Sequence, residues 1–319
     1  MSHHIVEVRD LRFAYPDGTL ALDGVSFRIL HGESVALVGA NGAGKSTLLQ
    51  HLNGCLAPAA GEVRIGDSPL APGNLAEVRR TVGMVFQDPD DQLFMPTVED
   101  DVAFGPLNLG LPQLEVAQRV VESLDTVGCL DLATRPPYRL SGGEKRAVAI
   151  ATVLAMRPSI LVLDEPSSNL DPRARRQFID LLRTFTHTKI IATHDLDLVL
   201  DLCERTIVLH KGRVLADGPT LDIFTDDALL EQGRLERPLC MQGMGRAHVH
   251  VHRHGDGPLH KHLHDHSGHG GPALDHGPHD HEHPNQGHAG HGHADHEPED
   301  PDHEHGPHGH GHGPHGSHG

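Results

Sequence analysis

Ser34-Val-Ala-Leu-Val-Gly-Ala-Asn-Gly-Ala-Gly-Lys-Ser46 decides how this chain is read. The apolar run 34–38 has the pattern of a short strand, the glycines after it break that pattern, and 45–52 has helix-forming character. Gly39 to Ser46 fits GxxxxGK[ST], and a strand before it and a helix after it distinguish a phosphate-binding loop from a chance glycine run. Glycines let the backbone wrap closely, so that successive N–H groups face phosphate oxygens. The helix N-terminus adds a dipole that favours anions. In this reading Gly39, Asn41, Gly42, Gly44 and Thr47 belong to an ATP-binding cradle, Lys45 is placed for the β- and γ-phosphates, and Ser46 for Mg²⁺.

Working outward, β-like runs recur at 81–86, 159–163, 189–192, 206–209 and 213–216, separated by helical segments. In 115–127, Val116, Val120, Leu124 and Val127 recur at spacings of three and four, giving a helix with one apolar face. The segment 144–156 is a second helix, rich in Ala and Val. The run 159–163 is continuously apolar, as expected of a strand covered on both faces of a parallel sheet. With the phosphate loop, the alternation predicts an α/β domain of the P-loop NTPase class with a mainly parallel sheet. A helical subdomain interrupts it between about 88 and 156, and strands at 5–8, 11–14 and 25–29 form an antiparallel flank.

About 120 residues after the loop, Ile160-Leu-Val-Leu-Asp164-Glu165 is an apolar strand ending in two acids. A carboxylate at a strand tip holds a metal, and a second beside it polarises an attacking water. Asp164 suits the Mg²⁺ role and Glu165 the general base.

With Leu140-Ser-Gly-Gly-Glu144 the chain resembles the ATP-binding-cassette ATPases, whose signature motif these residues match. Four further elements stand in the family's order: Tyr15 in FAYPDG resembles the residue that stacks on adenine, Gln87 the Q-loop, Ser168-Asn-Leu-Asp171 the D-loop, and His194 the switch histidine. The resemblance spans roughly residues 5 to 230 and implies a RecA-like core. It implies a homodimer sandwiching two ATPs, with Ser141, Gly142 and Gly143 of one copy contacting the nucleotide held by the other. It also implies that His194 holds the γ-phosphate and attacking water, that Gln87 touches Mg²⁺ and reports to a partner, and that Asp171 serves communication between the copies. One departure stands after the signature. Where the family often has a basic residue this chain has Ala147, beside Lys145 and Arg146, which leaves the packing there open.

Gln87-Asp-Pro-Asp-Asp-Gln-Leu-Phe94 and Thr97-Val-Glu-Asp-Asp-Val-Ala-Phe-Gly105 resemble the ATPases of energy-coupling-factor importers of the cobalt and nickel group. That resemblance implies a transmembrane coupling subunit, docked on the acids and apolar tip of 87–94, and a substrate-binding membrane subunit. The C-terminal stretch then bears on cargo. From His248 to His318 there are 24 histidines among Asp, Glu, Gly and Pro, a composition read as transition-metal binding without a packed core. Imidazole suits Ni²⁺ and Co²⁺, with affinity rising from Co²⁺ to Ni²⁺, and His260, His262, His264 and His266 are representative candidate ligands. The expected organisation is a nucleotide-binding domain at 1–235, a linker at 236–245 and a disordered metal-binding tail at 246–319.

Composition excludes other classes. The net charge is −18 with His neutral, and residues 246–319, with 3 Lys/Arg and 11 Asp/Glu, supply −8 of it, so neither part offers a general nucleic-acid surface. Four scattered cysteines without a CxxC pair suit a reducing compartment. No run approaches the roughly 18–20 apolar residues of a membrane span, and no secretory signal opens the chain. The expected location is therefore the cytoplasmic face of a membrane, reached through partner subunits. Two other readings compete with a nickel or cobalt importer: an importer of zinc, a vitamin or another nutrient with an incidental tail, and a soluble ATPase acting on DNA. The second lacks coiled-coil heptads and a basic patch.

Overall fold

Unbroken apolar runs and half-buried alternating ones sort the strands into two sheets. The computed structural model describes residues 4–168 and 170–242 together with His248–His252 and His260–His264; the rest, including the separate unit 268–319, lies outside the described residues. Strands β1 (His4–Ala14) and β2 (Leu20–Leu30) pair antiparallel, β3 (Ser34–Val38) begins the second sheet, and β4 (Ala60–Ile65) and β5 (Ser68–Pro69) return to the first, whose order is β2-β1-β4-β5. Helix α1 (Lys45–Leu52) follows β3 directly through the glycine loop, and α2 (Leu75–Thr81) leads into β6 (Val82–Val85). The interruption predicted between 88 and 156 contains α3 (Val98–Asn108), α4 (Gln113–Thr126) and α5 (Gly142–Leu154). The chain then alternates through β7 (Ile160–Asp164), α6 (Pro172–Thr184), β8 (Thr188–Ala192), α7 (Leu196–Leu202), β9 (Arg205–His210) and β10 (Arg213–Pro219).

The second sheet has the order β10-β9-β3-β8-β7-β6, parallel throughout except at the β10 edge. It is the expected P-loop NTPase core with an antiparallel flank and a helical insertion. Its central strands are buried on both faces. Leu161 and Leu163 of β7 enter one apolar cluster with Val148 and Ala151 of α5, while Ile160 and Val162 enter the other with Leu48, Leu49 and Leu52 of α1. This continuous burial explains the unbroken apolar run and holds the carboxyl-terminal tips of β3, β7 and β8 in fixed positions. A parallel sheet places ligand chemistry at such tips.

One expectation is corrected. The strands predicted at 5–8 and 11–14 are a single strand, β1, whose register on β2 shifts between Val8 and Leu11. Asp10 there has φ 45°, and Gly61 faces it so closely that a Cβ would lie 2.3 Å from the Asp10 carbonyl oxygen. A bulge of this kind adds a residue and breaks the alternation without ending the strand.

After β10 come α8 (Thr220–Thr225), α9 (Asp227–Gly233) and the short α10 (Leu239–Gln242). The Asp197 carboxylate of α7 accepts from the backbone N–H of Leu239 at 3.1 Å and of Cys240 at 3.0 Å, and Met241 packs on the larger apolar cluster. The stretch expected as a linker thus carries a helix tied to the body. Within the stretch expected to be disordered, β11 (His248–His252) and β12 (His260–His264) pair antiparallel. All four cysteines are free. Burial pushes the thiols of Cys129 and Cys203 up to about 11 and about 12, which keeps them protonated and unreactive. No helix among the described residues is long and apolar enough to cross a membrane.

Candidate nucleotide site

The loop between β3 and α1 owes its shape to two positions that reject a side chain. Gly39, at φ 157°, would place a Cβ 2.3 Å from the Leu209 carbonyl oxygen, and Gly44, at φ 105°, would place one 2.6 Å from that of Ala21. Gly44 also caps α1 in the left-handed conformation. Among the described residues no protein acceptor meets the backbone N–H groups of Gly42, Gly44, Lys45, Ser46 and Thr47. This is an anion cradle at a helix N-terminus. Asn41 and Gly42 form its exposed rim. Lys45 is buried, and its Nζ donates to the Gly39 carbonyl at 2.8 Å and lies 3.8 Å from Glu165 Oε1.

The tip of β7 meets this cradle. Asp164 is 5% exposed, and burial pushes its carboxyl above the ordinary carboxylate range, against the pull of a hydrogen bond from Ser46. Its Oδ1 is buried with no hydrogen-bond partner. An unpartnered carboxylate oxygen beside a serine hydroxyl fits a hard cation that takes oxygen ligands, as Mg²⁺ does.

Glu165 has φ 45°, a conformation that costs energy for a residue with a Cβ and occurs chiefly where the surroundings impose it. Its backbone N–H donates to the Ala192 carbonyl at 2.8 Å. Its Oε2 accepts from Thr193 Oγ1 at 3.1 Å, from the His194 backbone N–H at 3.2 Å and from His194 Nδ1 at 2.7 Å. Three donors and the Lys45 ammonium together hold a buried carboxylate, with Oε1 left toward the loop. His194 is 68% exposed along its side chain, and pairing of Nδ1 with the carboxylate leaves Nε2 outward.

Tyr15 stands at the opposite end of the cradle. Its hydroxyl lies 2.9 Å from Thr47 Oγ1, and its ring packs edge-on against Phe13 at 5.1 Å. The residue is partly open to solvent, at 37% exposure.

The signature residues are placed elsewhere. Ser141 caps α5 in a capping box with Glu144: the Glu144 N–H donates to Ser141 Oγ at 3.3 Å, and the Ser141 N–H to Glu144 Oε2 at 2.7 Å. Ser141 and Gly142 are exposed, and space beside Gly142 is open. Among the described residues no hydrogen bond or ion pair joins Ser141, Gly142 or Gly143 to the loop. Asp171 caps α6, accepting from the N–H of Arg173 and Ala174 at 2.8 and 2.9 Å. Asn169 of the predicted D-loop lies outside the described residues. Gln87 is exposed, and no hydrogen bond joins its side chain to Asp164 or Ser46.

Two residues with site roles were not singled out from the sequence. Thr193 carries no signal beyond its place beside His194. Arg146 carries none either, standing beside Lys145 in a helix otherwise rich in Ala and Val. It is 3% exposed, donates to the carbonyls of Phe86 at 2.9 Å and Gln87 at 2.7 Å, and lies in the fields of Asp88 and Asp164. It fastens α5 to the turn carrying Gln87, while Ala147 packs partly buried on the larger cluster, which answers the question of packing there. Arg146→Met is expected to leave those carbonyls without donors and cost roughly 2–6 kcal/mol, at about 1–3 kcal/mol per unmet polar group. A thermal melt lowered by several degrees checks it, and an unchanged melt contradicts it.

Past Gln87, the exposed rings of Phe94 and Phe104 meet edge to face at 5.0 Å. They flank a groove of about 410 Å³ that Met84, Phe86, Arg79 and Asp91 also line. Asp90 pairs with Lys145 at 2.6 Å on its border. Among the described residues, no three His, Cys, Asp or Glu gather as a metal centre. His266, and the side chains of His260, His262 and His264, lie outside the described residues.

Residues 22–168 match the family described as ABC transporter. A protein of Geobacter sulfurreducens with the provisional name ABC transporter ATP-binding protein GSU1281 is 73% identical over 76% of this chain and 98% of its own. The energy-coupling factor transporter ATP-binding protein EcfA of Methanothermobacter thermautotrophicus is 49% identical over 73% of this chain and 77% of its own. Among solved structures, cbiO1 of Clostridium perfringens, part of the ABC transporter complex cbiONQ, superposes with a TM-score of 0.65 at 39% identity, covering 72% of this chain and 94% of that one. The cassette MJ0796, solved as a dimer in a post-hydrolysis state with ADP and phosphate, gives 0.61 at 30% identity over 67% and 98%. Loop, paired acids, signature and these likenesses agree: the chain belongs to the ATP-hydrolysing, ATP-binding subunits of ABC transporters, of the energy-coupling-factor type.

Proposed function

We propose that two copies of this chain close head to tail on two ATP molecules, and that this closure drives membrane partners importing a divalent transition metal, nickel or cobalt. Cassettes of this family dimerise and work with transmembrane subunits. The observation that carries the catalytic part is the Glu165 cluster, in which Lys45, Thr193 and His194 fix one buried carboxylate. Glu165 Oε1 takes the proton of the water that attacks the γ-phosphate, and Lys45 offsets charge on the leaving phosphates. His194 Nε2 faces the γ-phosphate. Ser46, Asp164 and Gln87 would hold Mg²⁺, which supplies charge neutralisation on the phosphates when bound. Tyr15 stacks on adenine. The free signature turn of one copy, Ser141 to Gly143, completes the other copy's cradle with a second helix N-terminus, and Asp171 lies at that seam.

The groove beside Phe94 and Phe104 supports a coupling subunit docking there with an amphipathic helix, while a further membrane subunit binds substrate. The protein then lies on the cytoplasmic face of the membrane. A domain at 1–235, a linker at 236–245 and a tail at 246–319 follow from the same reading.

The metal cargo rests on the 24 histidines from His248 to His318. Nickel leads cobalt on imidazole affinity. In cells expressing the transport system, truncation after Gly245 is expected to leave ATP hydrolysis intact. It should lower nickel uptake when metal is scarce and not when it saturates. Cells that accumulate neither nickel nor cobalt above background would refute the cargo. Protonation removes the imidazole lone pair, with a reference pKa of about 6.5. Nickel binding by the full chain, followed by calorimetry, should therefore weaken steeply between pH 7.5 and 5.5. Binding that does not change across that interval would contradict imidazole ligation.

A further inference from the structure

Helix α1 carries a histidine where burial calls for a hydrocarbon. His51 is fully buried, on a helix whose other buried positions include Leu48, Leu49 and Leu52. Its Nδ1 lies 2.7 Å from the Thr47 carbonyl oxygen. A carbonyl only accepts, so Nδ1 carries the proton and Nε2 presents a lone pair. Among the described residues Nε2 completes no hydrogen bond. Burial holds the imidazole below the ordinary histidine range, against the weaker pull of the Thr47 and Ala57 backbones, so the ring stays neutral. A buried polar atom without a partner costs stability, and no step of the phosphate chemistry above uses it.

The imidazole closes a circuit of contacts that includes Tyr15. It meets the Phe13 ring edge to face at 4.8 Å, and Phe13 meets Tyr15 edge to face at 5.1 Å. Tyr15 returns to the helix through its hydroxyl, 2.9 Å from Thr47 Oγ1. Thr47 is therefore touched twice, at its carbonyl by His51 and at its hydroxyl by Tyr15. The backbone of Tyr15 is held separately: its N–H donates to the Thr19 carbonyl and its own carbonyl accepts from the Gly18 N–H, both at 2.9 Å. With that backbone fixed in a turn, Phe13 and Thr47 set the direction of the ring, and Phe13, near the end of β1, rests on His51.

We propose that His51 is a positioning residue for nucleotide binding: through Phe13 it fixes the direction of the Tyr15 ring on which adenine stacks. The inference rests on the stacking role given to Tyr15 above and deepens it by assigning the residue that holds the ring in place. In an edge-to-face pair the positive ring edge meets a negative ring face, so two such contacts in series transmit orientation where aliphatic contact does not. A ring already held loses little freedom when a base stacks on it. A leucine at position 51 has about the same volume and removes the unpartnered nitrogen, so packing alone does not call for histidine. What a leucine lacks is the ring edge and the N–H that orients it. Among the described residues no hydrogen bond or ion pair joins His51 to Lys45, Asp164, Glu165 or His194.

The test is steady-state ATP hydrolysis by the full chain with Mg²⁺. It is read as kcat, KM for ATP, and the inhibition constant of inorganic tripolyphosphate, which fills the phosphate loop and carries no base. Five chains are compared: the unaltered protein, Tyr15→Ala, His51→Leu, Phe13→Leu, and the double variant His51→Leu/Phe13→Leu. His51→Leu is expected to raise KM about threefold to tenfold, as for loss of one aromatic contact. It should leave kcat within about twofold and the tripolyphosphate constant unchanged, a loss of binding confined to the base side. Phe13→Leu should do the same. The double variant should be no worse than the weaker-binding single one, because His51 acts through Phe13. Three results would overturn the positioning role while Tyr15→Ala still weakens ATP: an unchanged KM in His51→Leu, single effects that multiply in the double variant, or a tripolyphosphate constant that worsens along with KM. A Tyr15→Ala protein with unaltered KM would overturn the stacking role and this inference with it.

Discussion

Glu165→Gln is expected to lower ATP hydrolysis by roughly 10²–10⁴-fold, the range for loss of a positioned general base, while ATP still binds. The substitution conserves shape. An amide oxygen still accepts from Thr193 Oγ1 and the His194 N–H, so the turn at the end of β7 keeps its hydrogen bonds. What disappears is the charge beside Lys45 and the basic oxygen facing the loop. Because the backbone at this position is left-handed, held by the Glu165 N–H to Ala192 bond, the side chain has one direction in which to project. A neighbouring acid does not replace it, since the Asp164 carboxylate is engaged by the Ser46 hydroxyl. Steady-state phosphate release with and without the substitution measures the effect. A residual rate within a few-fold of the unaltered protein would mean that Glu165 is not the base.

Lys45→Ala is expected to have an equally large effect by a different route. The ammonium is buried, held by the Gly39 carbonyl and near Glu165, and it is the cation placed in the mouth of the cradle. Hydrogen bonds to charged groups contribute about 1.5–3 kcal/mol each. Losing two such contacts to the phosphates weakens ATP binding by roughly 10²-fold or more and leaves no measurable hydrolysis. The two variants are told apart by binding: Glu165→Gln retains nucleotide and Lys45→Ala does not. A Lys45→Ala protein that binds ATP at unaltered affinity would remove Lys45 from the site.

The loop, the acidic strand and the core order were legible because each imposes a pattern that few other folds need. Glycines are demanded where Leu209 and Ala21 carbonyls leave no space, and 160–163 is continuously apolar because helices cover both faces of the sheet. What stayed hidden depends on tertiary contact. The break at Asp10 looks like the end of a strand until Gly61 is seen against it. Arg146 reads as one more basic residue beside Lys145 until its helix is packed against the Gln87 turn. Thr193 gains a role only when β7 and β8 lie side by side, bringing its hydroxyl to Glu165. The helix at Leu239–Gln242 is short and weakly patterned, and it depends on Asp197, some forty residues earlier. In the tail, composition drowned a period-two alternation, HVHVH and HKHLH, that is itself a strand signal.

The arrangement within one copy leaves the signature turn exposed and unconnected to the cradle, and the account turns on where that turn acts. Light scattering coupled to size exclusion, on the Glu165→Gln protein with and without ATP and Mg²⁺, measures this most directly. A mass that doubles on adding nucleotide, and does not double when Ser141 is also replaced by Arg, is the predicted result. A Glu165→Gln protein that binds ATP yet keeps the mass of a single chain would contradict the shared site.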